Sequence, residues 1–104
     1  MSAEKPFGEE DISSSTQQIQ HEPSLYRVLL HNDDYTTMEF VVDILRIVFY
    51  KSAEEAVRVM LHVHQQGIGV CGAYPFEIAE TRMDTVHALA RDRGFPLKCS
   101  MEKI

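Results

Sequence analysis

The chain has 104 residues, 44% hydrophobic and 25% charged, with a net charge of −6. That is room for one compact soluble domain and not for a second core. No apolar run approaches a membrane-spanning length, and no basic stripe exists to neutralise phosphates, so membrane and nucleic-acid partners are both excluded as expectations.

Residues 1–23 read as a flexible arm. They carry Glu4, Glu9, Glu10, Asp11 and Glu22 against Lys5 alone, include the low-complexity run Ser13 to Gln18, and show no apolar period. The N-terminus lacks the basic start and apolar middle of a signal peptide and is too acidic for a transit peptide, so a cytoplasmic location is expected. Pro23 marks the boundary, and residues 24–104 form the expected core domain.

Leu25 to His31 is strand-like and ends at the turn formers Asn32, Asp33 and Asp34. Thr36-Thr37-Met38-Glu39 has the form of a capping box, with Thr36 as the cap and Glu39 reaching back. Met38, Val41, Val42, Leu45, Val48 and Phe49 follow at helical spacing. Ser52-Ala53-Glu54-Glu55 opens a second helix whose expected apolar face is Ala56, Val57, Met60, Leu61 and Val63, closed by Gly67. Ile68 to Tyr74 reads as a strand in which Gly69 and Gly72 permit a bulge or a close approach. Pro75 suits the first turn of a third helix with Ile78, Ala79, Val86, Leu89 and Ala90 inward, ended by Gly94. Leu97 to Met101 is a closing strand. The order β-α-α-β-α-β predicts an α+β fold, a small three-stranded antiparallel sheet with three helices covering one face.

Cys71 and Cys99 are too few for a disulfide framework and lack metal-type spacing. Both fall in strand-like segments, where a free thiol acts as a small hydrophobe; a reactive pair would require neighbouring strands. His62 and His64 diverge by about 200° around a helix, which does not make a joint metal site. No cofactor or metal is expected. Asp33, Asp34 and His64 could form an acid–base group, but no nucleophile motif or phosphate loop accompanies them, so an enzyme is not expected.

Four segments carry a resemblance. Tyr26 to Met38 (YRVLLHNDDYTTM), Met60 to Gly67 (MLHVHQQG), Cys71-Gly72 leading to Glu77-Ile78-Ala79-Glu80-Thr81-Arg82, and Pro96-Leu97-Lys98-Cys99 together resemble the ClpS family of adaptors that recognise N-terminal degradation signals. The likeness runs over roughly residues 25–103 in order and spacing. It implies an adaptor that binds proteins beginning with Phe, Leu, Trp or Tyr and delivers them to the N-terminal domain of a ClpA or ClpC-type AAA+ unfoldase. Matching positions imply Asn32, Asp33 and His64 as acceptors for the substrate's α-amino group, with Asp34 and Thr36 at the entrance. They imply Met38, Val41, Met60, Val63 and Leu97 as apolar lining, and Met38 as the gate that excludes β-branched side chains. Glu77 and Arg82 are the implied unfoldase contacts. Many relatives carry proline at the position of Thr37, which implies a less rigid helix start here.

The chemistry suits that task. A free chain start is an ammonium with three N–H donors, and burying it without acceptors would cost several kcal/mol. An Asn oxygen, a carboxylate and a neutral imidazole nitrogen can converge on it. His64 follows Val63 by one residue and Met60 by four, so one helix edge can present both acceptor and apolar wall. The alternative is a scaffold that binds the unfoldase without reading N-terminal residues.

Overall fold

The structure, a computed structural model, describes residues 23–104; the arm expected over 1–23 lies, apart from Pro23, outside the described residues. The elements run β1 (Leu25–His31), α1 (Met38–Ile47), α2 (Ala53–Gln66), β2 (Ile68–Pro75), α3 (Phe76–Arg93) and β3 (Lys98–Lys103). β1 is central in an antiparallel sheet of order β2-β1-β3. Fold class and element order are those read from the sequence. Among the described residues no helix is long and apolar enough to cross a membrane.

β1 is central because its aliphatic run is buried: Val28 and Leu30 are fully enclosed, and Leu29 is 8% exposed. The core behind the sheet joins Val28, Leu30, Ile44, Leu45, Ala56, Val86, Cys71 and Cys99. Each fully buried aliphatic contributes roughly 1.5–3 kcal/mol relative to exposure. Pairing runs from Leu25↔Pro75 to His31↔Ile68, with a shift between Val28 (opposite Gly72) and Leu29 (opposite Val70). Cys71 is thus the extra residue of a β-bulge, where the strand bends and its twist increases. The other side of β1 pairs with β3 from Tyr26↔Lys103 to His31↔Lys98. Since β1 lies between them, the strands of Cys71 and Cys99 are not neighbours, and both cysteines are free and buried.

Several local expectations are corrected. α1 is capped by Thr37, not Thr36: the Thr37 hydroxyl accepts from the Phe40 amide at 3.1 Å. Thr36 is diverted because its own hydroxyl donates to Asp33. A proline at position 37 would have no side-chain oxygen to offer, so threonine here supplies a cap bond. α1 also turns Phe40 and Ile44 inward, where Phe40 packs on Phe95 at 4.9 Å between ring centroids. Met38, at the start of the helix, is 45% exposed.

Ser52 does cap α2, accepting from the Glu55 amide, while the Glu55 carboxylate pairs with Arg58. Val57 and Leu61 are exposed rather than inward, because α2 meets the core along the narrower stripe Ala56, Met60 and Val63. Ile78 on α3 likewise faces solvent. Pro75 stands at the cap of α3, just before its first turn. The edge strand β3 is held to α3 by one side chain, since the Cys99 amide donates to His87 Nε2 at 3.0 Å.

Candidate functional site

The site begins where β1 ends. Asn32 leaves the strand, and its amide donates to the carbonyl of Gly67 at 2.9 Å. Gly67 closes α2 with φ of 91°, a left-handed conformation that a side chain would strain, and its amide donates to Val63 at 2.8 Å. This clasp sets the β1–α1 turn against the last turn of α2, where His64 stands.

Asp33 organises that turn. Its Oδ1 accepts from the amides of Tyr35 and Thr36 at 2.8 and 2.7 Å, and its Oδ2 accepts from the Thr36 hydroxyl at 2.7 Å. Burial pushes the Asp33 carboxyl up, but the bonds from Thr36 and Tyr35 outweigh it and hold it below its ordinary 3.8. The group is therefore a fixed anion near neutral pH. A carboxylate offers about four lone-pair sites, so three bonds leave capacity for a further donor.

Between the turn and α2 lies a cavity of about 220 Å³ lined by Asn32, Asp33, Asp34, Thr36, Met38, Val41, Met60, Val63 and His64. Its polar lining comes from the turn and the end of α2. The apolar wall comes from α1 and α2, with Val41 and Val63 buried at 7% and 3% exposure. Gly69 on β2 backs Val63: a Cβ there would stand 2.6 Å from Val63 Cγ2, so only glycine leaves that valine its place. Of the residues named from sequence for amine contact, entrance and apolar lining, Leu97 alone is not on this wall; it is buried in the core.

Glu77 and Arg82 lie elsewhere, in a concavity of about 490 Å³ that Ile47, Tyr50 and Ile78 also line. Arg82 is held within the domain. Its Nη1 donates to the Val48 carbonyl at 2.6 Å, and its guanidinium lies over the rings of Tyr50 and Tyr74 at 4.8 and 5.3 Å. Tyr50 itself sits at φ of 57° and the residue is 75% exposed. Neither feature was read from sequence: the φ follows from the compact turn between α1 and α2, and the Arg82 bond spans 34 residues.

His62 and His64 separate as the helical angle requires, His62 facing a shallow outer groove with Glu54 and Leu61. Among the described residues no group of three or more His, Cys, Asp or Glu is arranged to hold a metal ion.

Comparison with known proteins matches residues 21–100 to the family described as "ATP-dependent Clp protease adaptor protein ClpS". A ClpS adapter protein of Desulforapulum autotrophicum is 55% identical over 103 residues, covering 99% of each chain. That of Oleidesulfovibrio alaskensis is 53% identical over 104 residues, covering all of both. Among solved structures, Agrobacterium tumefaciens ClpS2 bound to L-phenylalaninamide superposes with a TM-score of 0.77 at 40% identity, covering 80% of this chain and 100% of that one. A family match over most of the chain, full-length relatives and a shared fold leave one assignment: the chain belongs to the ClpS family of Clp protease adaptors, and is an adaptor rather than an enzyme.

Proposed function

We propose that the protein captures polypeptides whose first residue is Phe, Leu, Trp or Tyr and delivers them to a ClpA or ClpC-type unfoldase. In this reading the α-amino group is received by Asn32, Asp33 and His64, with Asp34 and Thr36 at the entrance. The first side chain enters among Met38, Val41, Met60 and Val63. The core domain, residues 24–104, does the recognising, apart from an N-terminal arm over 1–23. One observation carries the reading: a single cavity is lined both by Asn32, Asp33 and His64 and by the apolar Met38, Val41, Met60 and Val63. The ligand of the A. tumefaciens relative supports it, because L-phenylalaninamide combines a free amine, an apolar side chain and a blocked carboxyl.

The energetics are sufficient. Charge-assisted hydrogen bonds contribute about 1.5–3 kcal/mol each, and enclosing a Phe or Leu side chain adds roughly 1.5–3 kcal/mol. After association costs, about micromolar or tighter binding follows. Both parts of the ligand are needed.

The test is fluorescence anisotropy with peptides that differ only at the first residue, each with a free and an acetylated N-terminus. Binding confined to free amines and bulky first residues is expected. Equal binding of acetylated or serine-initiated peptides would overturn the reading in favour of a scaffold. Delivery is tested by degradation with purified unfoldase and protease. Glu77→Lys should slow it while leaving peptide affinity unchanged. Arg82 is the less clean probe, since its reversal also frees the Val48 carbonyl.

A further inference from the structure

One residue of the chain is held where its type rarely goes. Tyr50 is the only non-glycine among the described residues with a positive φ, at 57°. That left-handed conformation strains a bulky side chain, and glycine or asparagine would take it more easily. The turn sets it, because the Lys51 amide donates back to the Leu45 carbonyl at 3.1 Å and closes the end of α1. Burial does not offset the strain, since the residue is 75% exposed. Strain kept at an exposed side chain points to a role outside the core. We propose that Tyr50 is the anchor by which the Clp unfoldase grips this adaptor, and that Arg82 is a positioning residue for the Tyr50 ring rather than a direct contact; the inference deepens the delivery reading and rests on it.

Arg82 is engaged on its own domain. Its bond to the Val48 carbonyl ties α3 to the end of α1, and its guanidinium lies over the rings of both Tyr74 and Tyr50. The Tyr74 ring in turn packs on Phe49 at 6.4 Å between centroids. A series of contacts therefore runs from buried Phe49 through Tyr74 and Arg82 out to the exposed ring of Tyr50. It holds in one orientation a side chain that solvent alone would leave free, and a ring ordered in advance loses less entropy when a partner covers it.

The surface around Tyr50 is cheap to cover. Ile47 and Ile78, 63% and 44% exposed, border the same concavity. Its hydroxyls are already satisfied: those of Thr81 and Thr85 donate to the carbonyls of Glu77 and Thr81 at 3.0 and 2.8 Å. Covering groups that keep their hydrogen bonds costs little. Glu77 is the exception, an exposed carboxylate that forms no ion pair among the described residues. The partner that fits is apolar at its centre and brings one basic side chain for Glu77. No lining residue is shared with the cavity beside His64, so both surfaces can be occupied at once, as delivery requires. For a member of a Clp protease adaptor family, that partner is the unfoldase.

The experiment measures binding of the full-length adaptor to purified ClpA-type and ClpC-type unfoldases, with peptide anisotropy and thermal unfolding on the same preparations. Tyr50→Asn removes the ring and suits the left-handed backbone, so Tm should hold or rise. Affinity for the unfoldase should nevertheless fall at least about tenfold, the loss typical of an interface anchor. Peptide affinity should stay within about twofold, because the two surfaces share no residue. Tyr50→Phe keeps the ring and should retain unfoldase binding. Arg82→Met should weaken that binding, and the double variant with Tyr50→Asn should bind no worse than Tyr50→Asn alone, since a positioning residue acts only through what it positions. Multiplied losses would make Arg82 a direct contact and overturn its positioning role. Should Arg82→Met fail to fold, Arg82→Lys keeps the cation and enters the same cycle. Unchanged unfoldase affinity in Tyr50→Asn, with Glu77→Lys still impaired, overturns the anchor while leaving delivery intact. A wild-type dimer that Tyr50→Asn dissociates, seen by analytical ultracentrifugation, makes a second copy the occupant and overturns it too. Failure of the wild type to bind either unfoldase overturns the anchor and the delivery reading together.

Discussion

The amide of Asn32 and the carbonyl of Gly67 meet at 2.9 Å, joining residues 35 positions apart in sequence. This bond turns a strand end and a helix end into one rim. The left-handed conformation of Gly67 is its precondition, because it aims the carbonyl back toward the β1–α1 turn.

Gly67→Ala tests that precondition. No atom lies within 4 Å of the added Cβ, so the effect is backbone strain alone. Strain of about 1–2 kcal/mol is expected, and each 1 kcal/mol lowers Tm by about 4–8 °C in a domain of this size. Peptide affinity should fall with it as Asn32 and His64 lose register. Thermal unfolding and anisotropy on one preparation check both.

Asp33→Asn separates charge from geometry. The amide oxygen can still accept from Tyr35 and Thr36, and the Thr36 hydroxyl can reverse its role and accept from the new NH₂. Folding should therefore be disturbed little, while affinity for a free amine falls by about tenfold or more, the worth of one lost charge-assisted bond. The pH dependence follows from the depressed carboxyl. Its stabilising contribution is complete above the ordinary value of 3.8 and is lost as pH falls through the lower folded value. Tm of wild type should thus drop more steeply than that of Asp33→Asn below pH 3.8, and the curves should converge in strong acid. Parallel curves would mean that the three bonds do not stabilise the anion.

Gly69→Ala reaches the cavity from behind. The new methyl would press on Val63 Cγ2 at 2.6 Å. Overpacking of this kind costs about 1–3 kcal/mol. Affinity should fall because Val63 is pushed into the space for the first side chain. Val63→Ala removes the obstructing methyl, so the double variant should be more stable than the sum of the single changes predicts. Additive losses would show that the two residues do not press on each other.

The cysteines should be inert. Burial pushes the Cys99 thiol up to about 12, and burial together with Cys99 pushes Cys71 higher still. Thiolate is the reactive form, so a thiol reagent should label neither residue in the native protein and both in denaturant. Rapid native labelling of either would contradict its burial.

The element order was legible because each segment carries a local signal. Aliphatic runs, hydroxyl caps and closing glycines act over a few residues, and Ser52, Gly67 and Gly94 all stand where that chemistry places them. The position of the first cap was not: the spacing to Glu39 favours Thr36, yet Thr37 is the cap. What decides is Asp33, which takes the Thr36 hydroxyl for the turn. Helix faces were legible only in part. Periodicity marks Val57, Leu61 and Ile78 as inward candidates, but which part of an apolar stripe is covered depends on where neighbouring elements stop.

Residue types capable of holding an ammonium and an apolar side chain are written in the chain, as is their distribution over a turn and two helices. That they border one cavity depends on the clasp between Asn32 and Gly67 and on the packing of α1 against α2. Tertiary packing likewise puts Leu97 in the core and engages Arg82 within its own domain. Local sequence governs dihedral angles and short-range hydrogen bonds; cavities arise between segments distant in the chain, where shape is decided by how side chains of unlike size fail to fill the same space.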